Sequence, residues 1–427
     1  MAREMKDSRV EWIGEIPREW EVGKVKNCFV RKNEKAKQEN PIILSLARSG
    51  VKIRDISTGE GQIAESYFNY NPVEKGDLLI NPMDLYSGAN CSVSKVCGVI
   101  SPAYINLKSI NGNNSTYYDY YFKTQYWSMV FFAHGKGVSF DNRWTLNTET
   151  LFNYFIPIPP LEEQEKIVNY LNKKVSDIDL IIEKTKITIE DYKKYKQSII
   201  TEAVTKGLNP NVEMKDSEIE WIGEIPKEWK VVKGKNIFKE RKMKGNENNL
   251  ELLSPTQKFG VIPQRLYEKL TSLRAVKVEE TKDLSTFKAI YIGDFCISLR
   301  SFQGGFEYST YNGVVSPAYK VFYAKQHIID SFYKYFFKEK GFISKIASYS
   351  CSLRDGKSIS FNEFGETNII YPPLEEQKQV ADYLDKKTSE IDTLITKKEN
   401  LIKELEEYKK SLIYECVTGK KEVTTNV

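Results

Sequence analysis

Histidine is almost missing from this chain: among 427 residues only His134 and His327 occur, far apart in sequence. The six cysteines, at positions 28, 91, 97, 296, 351 and 416, are scattered without a framework. No pair has zinc-site spacing, and the pattern reads as reduced thiols in a cytoplasm. No run of 18 apolar residues is present, so no membrane-spanning helix is expected. The stretch from Met1 to Asp7 has no apolar core, so no signal peptide is expected there. A Gly-rich cofactor loop after a strand is also lacking. Asn81-Pro82-Met83-Asp84 begins like the Asn-Pro-Pro-Tyr signature of amino-methyltransferases. It has neither the second proline nor the aromatic that stacks on a flipped base. The run from Cys351 to Ser358 falls one residue short of a phosphate-binding loop, with Cys351 where the first glycine belongs. A strand-like Ile359-Ser360-Phe361 follows it instead of a helix. No catalytic constellation emerges, and no metal or cofactor site is expected on this chain. A net charge of only +5 permits nucleic-acid binding without demanding it, so a local basic face would have to carry it.

What the chain does contain, it contains twice. Pro159-Pro160-Leu161-Glu162-Glu163-Gln164 returns letter for letter as Pro372-Pro373-Leu374-Glu375-Glu376-Gln377, 213 residues later. Residues 7–29, around Trp12, Pro17 and Trp20, match residues 216–238, around Trp221, Pro226 and Trp229. Gly98-Val99-Ile100-Ser101-Pro102-Ala103-Tyr104 matches Gly313-Val314-Val315-Ser316-Pro317-Ala318-Tyr319. Ahead of these lie Gly76-Asp77-Leu78-Leu79-Ile80 and Gly293-Asp294-Phe295-Cys296-Ile297. The chain is a tandem duplication. Between the anchors, residues 31–75 and 239–292 share no evident pattern.

Each Pro-Pro-Leu-Glu-Glu-Gln run opens about 45 residues without internal Pro or Gly. Proline suits the first turn of a helix, and two glutamates there favour the positive end of its dipole. Gly207 and Asn209-Pro210 end the first helix, and Gly419 ends the second. A repeat with spacings of three and four runs along both, as in Val168, Leu171, Val175, Ile178, Ile182 and Ala381, Leu384, Thr388, Ile391, Ile395. Gln164 and Gln377, Thr185 and Lys398, and Lys196 and Lys409 interrupt the two seams at equivalent places. A narrow seam sustained over about six heptads reads as coiled coil, in helices roughly 65–70 Å long. Leu171, Ile178, Ile182, Leu384, Ile391 and Ile395 are the expected helix-pair interface.

The expected architecture is mixed α/β (α+β): two tandem domains, 1–158 and 208–371, and two spacer helices, 159–207 and 372–419, with a tail at 420–427. To bury its seam, the second helix must run back antiparallel along the first, which implies a dumbbell with a pseudo-two-fold internal repeat. Strands are expected at Ile42–Leu46, Leu78–Ile80, Val99–Leu107, Ala289–Ile292 and Val314–Phe322. One helix per domain is expected, at Tyr117–Phe132 and Ile328–Ile346. Their aromatics Tyr121, Phe122, Trp127, Phe131, Phe332, Tyr335 and Phe336 read as core, not as base-stacking platforms.

Two diverged domains joined by near-identical helices, each opened by Pro-Pro-Leu-Glu-Glu-Gln, resemble the specificity subunit of type I restriction–modification systems. The Trp-Ile-Gly-Glu-Ile-Pro-x-x-Trp, Gly-Asp and Ser-Pro-Ala-Tyr features resemble those of that family's target-recognition domains. The resemblance covers essentially the whole chain. It implies a non-catalytic subunit in which each domain reads one half of a bipartite asymmetric site in double-stranded DNA. It further implies that the helices set the spacer and bind two modification subunits, which carry S-adenosylmethionine and methylate adenine. Restriction subunits then join to make the endonuclease that uses ATP and Mg. A coiled-coil adaptor with two protein-binding domains is the alternative reading.

Arg and Lys fork guanine in the major groove, and Asn and Gln fork adenine. Candidate DNA-binding residues are the basic and amide residues of the divergent loops and of the turns near the end of each domain. These are Arg48, Lys52, Arg54, Asn90, Lys136 and Arg143 in the first domain. In the second they are Lys258, Gln264, Arg265, Arg300, Gln303, Arg354 and Lys357.

Overall fold

The structure, a computed structural model, describes residues 3–57, 63–83, 85–87, 90–137, 144–245, 250–273, 284–297, 306–349 and 359–424. Its two compact units are Met1–Lys186 with Asn400–Val427, and Ile187–Glu399. The division falls inside the long helices, Leu161–Lys206 and Leu374–Val417, and not at their ends. Each unit is a globular part plus one segment of each helix, because those segments bury their seams against that globular part.

In the first unit the antiparallel run is set at two levels. Trp20 donates its indole N–H to Glu163 at 2.7 Å, at the start of the first long helix. Gly419, just past the end of the second, abuts Pro17 and the same Trp20 ring. Tyr117 caps the carbonyl of Val417 at 2.7 Å, and Lys409 pairs with Asp179 at 2.6 Å. The second unit repeats the arrangement. Trp229 donates to Glu376 at 2.8 Å, Gly207 abuts Trp229, and Lys196 pairs with Asp392 at 2.6 Å. Such half-exposed pairs contribute at most about 1 kcal/mol each, and they specify register more than stability.

The glutamines that interrupt the seams are fully buried. Gln164 accepts from the backbone N–H of Asn114 at 2.9 Å and donates to the Pro159 carbonyl at 2.9 Å. Gln377 accepts from Ile329 N–H at 2.9 Å and donates to the Pro372 carbonyl at 2.8 Å. Both amides clamp a long helix to the start of the helical region of its own globular part. The duplicated Glu-Gln of each Pro-Pro-Leu-Glu-Glu-Gln run is therefore a lock: glutamate for the tryptophan, glutamine for the backbone.

The sheet topology is the same in both units. A four-stranded antiparallel sheet runs in the order Phe29–Arg31, Ile105–Ser109, Leu78–Ile80, Cys91–Val93. Its counterpart runs Phe238–Arg241, Lys320–Ala324, Phe295–Ile297, Glu307–Tyr308. The Gly-Asp pairs sit in the turns before the Leu78–Ile80 and Phe295–Ile297 strands, with Gly76 at φ 94° and Gly293 at φ 90°. Asp77 accepts from Glu74 N–H and from Lys32, at 2.8 and 2.9 Å. Asp294 accepts from Tyr291 N–H at 2.9 Å and is forked by Arg241 at 2.6 and 2.9 Å.

Three expectations are corrected. The Val99–Leu107 run is two strands in different sheets, Gly98–Ile100 and Ile105–Ser109, and its counterpart divides likewise into Gly313–Val315 and Lys320–Ala324. Ser-Pro-Ala-Tyr is the turn between them, closed by Tyr104 N–H on Ser101 and Tyr319 N–H on Ser316, both at 3.0 Å. The expected single helices are each two. Met129, left-handed at φ 61°, separates Ser115–Trp127 from Val130–Ala133. Glu339 caps a fresh helix, Lys340–Ser348, after Asp330–Phe336. Finally, the divergent segments share a hairpin among the described residues, Leu44–Ala47 with Gly50–Ile53 and Leu253–Thr256 with Gly260–Pro263. The chain leading into each hairpin runs hard against the Gly98 or Gly313 strand. A Cβ at Gly98 would lie 2.6 Å from the Ile42 carbonyl, and one at Gly313 would lie 2.4 Å from that of Glu251. Only glycine admits that approach.

Candidate nucleic-acid interface

In the first unit the hairpin reverses through Arg48 and Ser49, with Ala47 opposite Gly50. Arg48 is exposed at this tip, Lys52 is exposed on the returning strand, and Arg54 is half-buried with its N–H on the Ile43 carbonyl at 2.8 Å. Asn90 reaches the tip from the chain beside it. Its side-chain amide donates to the carbonyls of Ala47 at 2.8 Å and Arg48 at 3.3 Å. That amide holds the turn, so its donors are committed to the protein. Lys136 is exposed and pairs through its backbone with Thr145, at 2.9 and 3.0 Å. Arg143 lies outside the described residues.

Beneath the tip is a groove of about 880 Å³ whose walls include Arg48, Tyr86, Asn90, Lys123, Trp127 and Lys410. Tyr86 is 62% and Trp127 41% exposed, which places two aromatic faces beside cations. That combination suits a nucleic-acid strand. Trp127 therefore departs from the other aromatics of its helical region, which form core as the sequence implied. It occupies the last residue of its helix, in the exposed run Trp127–Met129 that precedes the return to the core at Phe131. Lys123 pairs with Asp119 at 2.7 Å. Burial pushes the Asp119 carboxyl up, and Lys123 opposes that shift. Burial likewise pushes the Cys91 thiol, which donates to Asp119, well up and keeps it protonated. Of these groups Lys123 alone lines the groove, and Asp119 and Cys91 are buried and paired. Tyr86 and Lys410 were missed in the sequence because nothing in their spacing separates them from solvated surface.

In the second unit the equivalent hairpin reverses through Gln257, Lys258 and Phe259. Lys258 is exposed at the tip, its ammonium 5.3 Å from the Phe259 ring centroid. Arg265 is exposed on the following helix, Gln264–Thr271. Gln264 is not available to bases. It is buried, accepts from Ser254 Oγ, and donates to Glu268 at 3.0 Å. Its place at the foot of the hairpin, and not in a loop, explains the difference. Arg300, Gln303, Arg354 and Lys357 lie outside the described residues, as do Asp84 and the Cys351–Ser358 run.

Of the expected helix-pair residues, Leu171, Ile178, Ile182, Leu384 and Ile391 are buried. Ile395 is only half-buried. From there to Lys409 the seam of the second long helix stays half-covered. Among the described residues, no helix is long and apolar enough to cross a membrane.

Comparison with known proteins agrees with this duplicated organisation. The family model of the type I restriction modification DNA specificity domain matches residues 17–191 and again residues 226–404. A Methanocaldococcus jannaschii protein named "Putative type I restriction enzyme MjaX specificity subunit" is 26% identical over 437 residues, covering 97% of this chain and 96% of that one. The type I restriction enzyme MjaVIII specificity subunit of the same organism is 29% identical over 282 residues, covering 63% of this chain and 62% of that protein. Among solved structures, a chain from a study of complex assembly and conformational transition in the type I R-M system shares the fold. Its TM-score is 0.70 at 14% identity, covering 95% of this chain and 99% of that one. The HsdS subunit from Thermoanaerobacter tengcongensis gives a TM-score of 0.52 at 14% identity, covering 95% and 98%. With the domain model matched twice over most of its length, the chain belongs to the type I restriction–modification specificity family and carries the DNA specificity domain in two tandem copies.

Proposed function

We propose that the chain is the sequence-reading, non-catalytic subunit of a type I restriction–modification enzyme. Each specificity domain reads one half of a bipartite asymmetric site in double-stranded DNA. The long helices set the number of unspecified base pairs between the halves and bind two modification subunits. Those subunits carry S-adenosylmethionine and methylate adenine, and restriction subunits supply the endonuclease with ATP and Mg. The observation that carries this reading is the pair of hairpins: one frame, built twice, with unlike cation-bearing tips. Unlike half-sites need unlike tips on a common scaffold.

The modest net charge fits a subunit whose partners share the phosphate contacts. The test is methylome sequencing of the host with and without this gene. A bipartite methylated-adenine motif should vanish on deletion, and an unchanged methylome contradicts the proposal.

A further inference from the structure

The two hairpins coincide in more than topology. In each, the returning strand begins at a glycine of positive φ, Gly50 at 108° and Gly260 at 69°. In each, that glycine presses against the edge strand of the four-stranded sheet. A Cβ on Gly50 would lie 3.2 Å from Ser92 Oγ, and one on Gly260 would lie 2.8 Å from the Tyr308 carbonyl. With the close approach at Gly98 and Gly313, each hairpin is pinned at its base and at its turn. The tips differ in both length and chemistry. Arg48-Ser49 is a two-residue reversal, and Gln257-Lys258-Phe259 is a three-residue one that ends in a left-handed glycine.

From this geometry we infer that the hairpin tips are the base readers, Arg48 for a guanine in the first half-site and Lys258 for a guanine in the second. Asn90 is the positioning residue for the first. The assignment rests on the function proposed above. A rigid frame is what a reading tip needs, since a bidentate contact discriminates only when its donors are held in place. Asn90 supplies that restraint to Arg48 through the carbonyls of Ala47 and Arg48 itself. Lys258 has a different restraint, the Phe259 ring under its ammonium.

The test uses the full chain with its modification subunits in cells, read as the set of methylated sites. Arg48→Ala should relax one guanine position of the first half-site, with about a tenfold or greater loss of discrimination there, and leave the second half-site intact. Arg48→Met, which keeps the length of the side chain and loses every donor, should relax the same position and leave the second half-site as in the parent. Asn90→Ala should relax that position too, and Lys258→Ala should relax a position in the other half only. If Arg48→Ala instead lowers methylation evenly at all sites with an unchanged motif, Arg48 touches phosphate and the inference is overturned. Relaxation in both halves overturns it as well. Failure of the underlying function would look different: the unsubstituted chain would specify no bipartite motif.

Discussion

Trp20 and Trp229 occupy equivalent positions and make the same bond, yet their carboxylate partners are not equally supported. Glu163 also receives Arg3, at 2.6–2.8 Å, and Arg3 in turn holds Glu19. At the corresponding place in the second unit stands Val212, which brings no cation. Among the described contacts, Trp229 is the one side chain that bonds Glu376. Replacing either indole by phenyl removes similar volume, so the two substitutions differ in the partners left to the carboxylate and in the Arg3 guanidinium 5.4 Å from the Trp20 ring centroid. Trp229→Phe should destabilise its unit by about 1–2 kcal/mol more than Trp20→Phe does its own, because it strips the last partner from a half-buried carboxylate. Chemical denaturation of the two variants checks this, and equal losses would show that Arg3 adds nothing. Gln164→Ala should cost about 1–3 kcal/mol, since it strips the partner from the part-buried Asn114 N–H as well as losing its own bonds. A near-neutral melting curve would mean that water replaces the amide.

At the scale of elements, the long helices were the most legible part of the sequence. Their seam positions from Gln164 to Ala203 are buried or half-buried at the spacing read from the apolar pattern. Periodicity carries that information locally. The seam of the second helix shows where it stops: Leu384 is fully buried and Ile395 only half, although both fit the repeat. Leu384→Ala should therefore cost about 2–5 kcal/mol, and Ile395→Ala clearly less. Comparable losses in thermal unfolding would contradict the observed covering. The hairpins were illegible for the opposite reason. Their frame depends on close backbone approaches at Gly98 and Gly313, and a glycine in the sequence does not say which carbonyl will face it. Trp127 was misread because its helix ends there, and the left-handed Met129 that follows has no sequence signal. Gln264 looked like loop until the strand Gly260–Pro263 placed it at the foot of a hairpin. If the helices set the spacer, four residues inserted near Ile189 add about 6 Å to the first helix. They shift its phase without destroying the apolar stripe. The methylated motif should keep both half-sites and gain one or two unspecified base pairs. An active protein with an unchanged spacer would show that the helices do not measure it.

The molecule as a whole is a duplication in which the scaffold repeats and the reading surface does not. Its locks are equivalent residue by residue: Trp20 and Trp229, Glu163 and Glu376, Gln164 and Gln377. Its tips and the groove beneath Arg48 are the parts that diverge. The central claim is that each domain reads its own half-site independently. The most direct measurement exchanges residues 30–155 for the same region of another member of the family and sequences the methylome of cells carrying the hybrid with its modification subunits. Independent reading by the two domains predicts a motif with a new first half-site, the original second half-site and the original spacer. A change in both half-sites, or in neither, would contradict it.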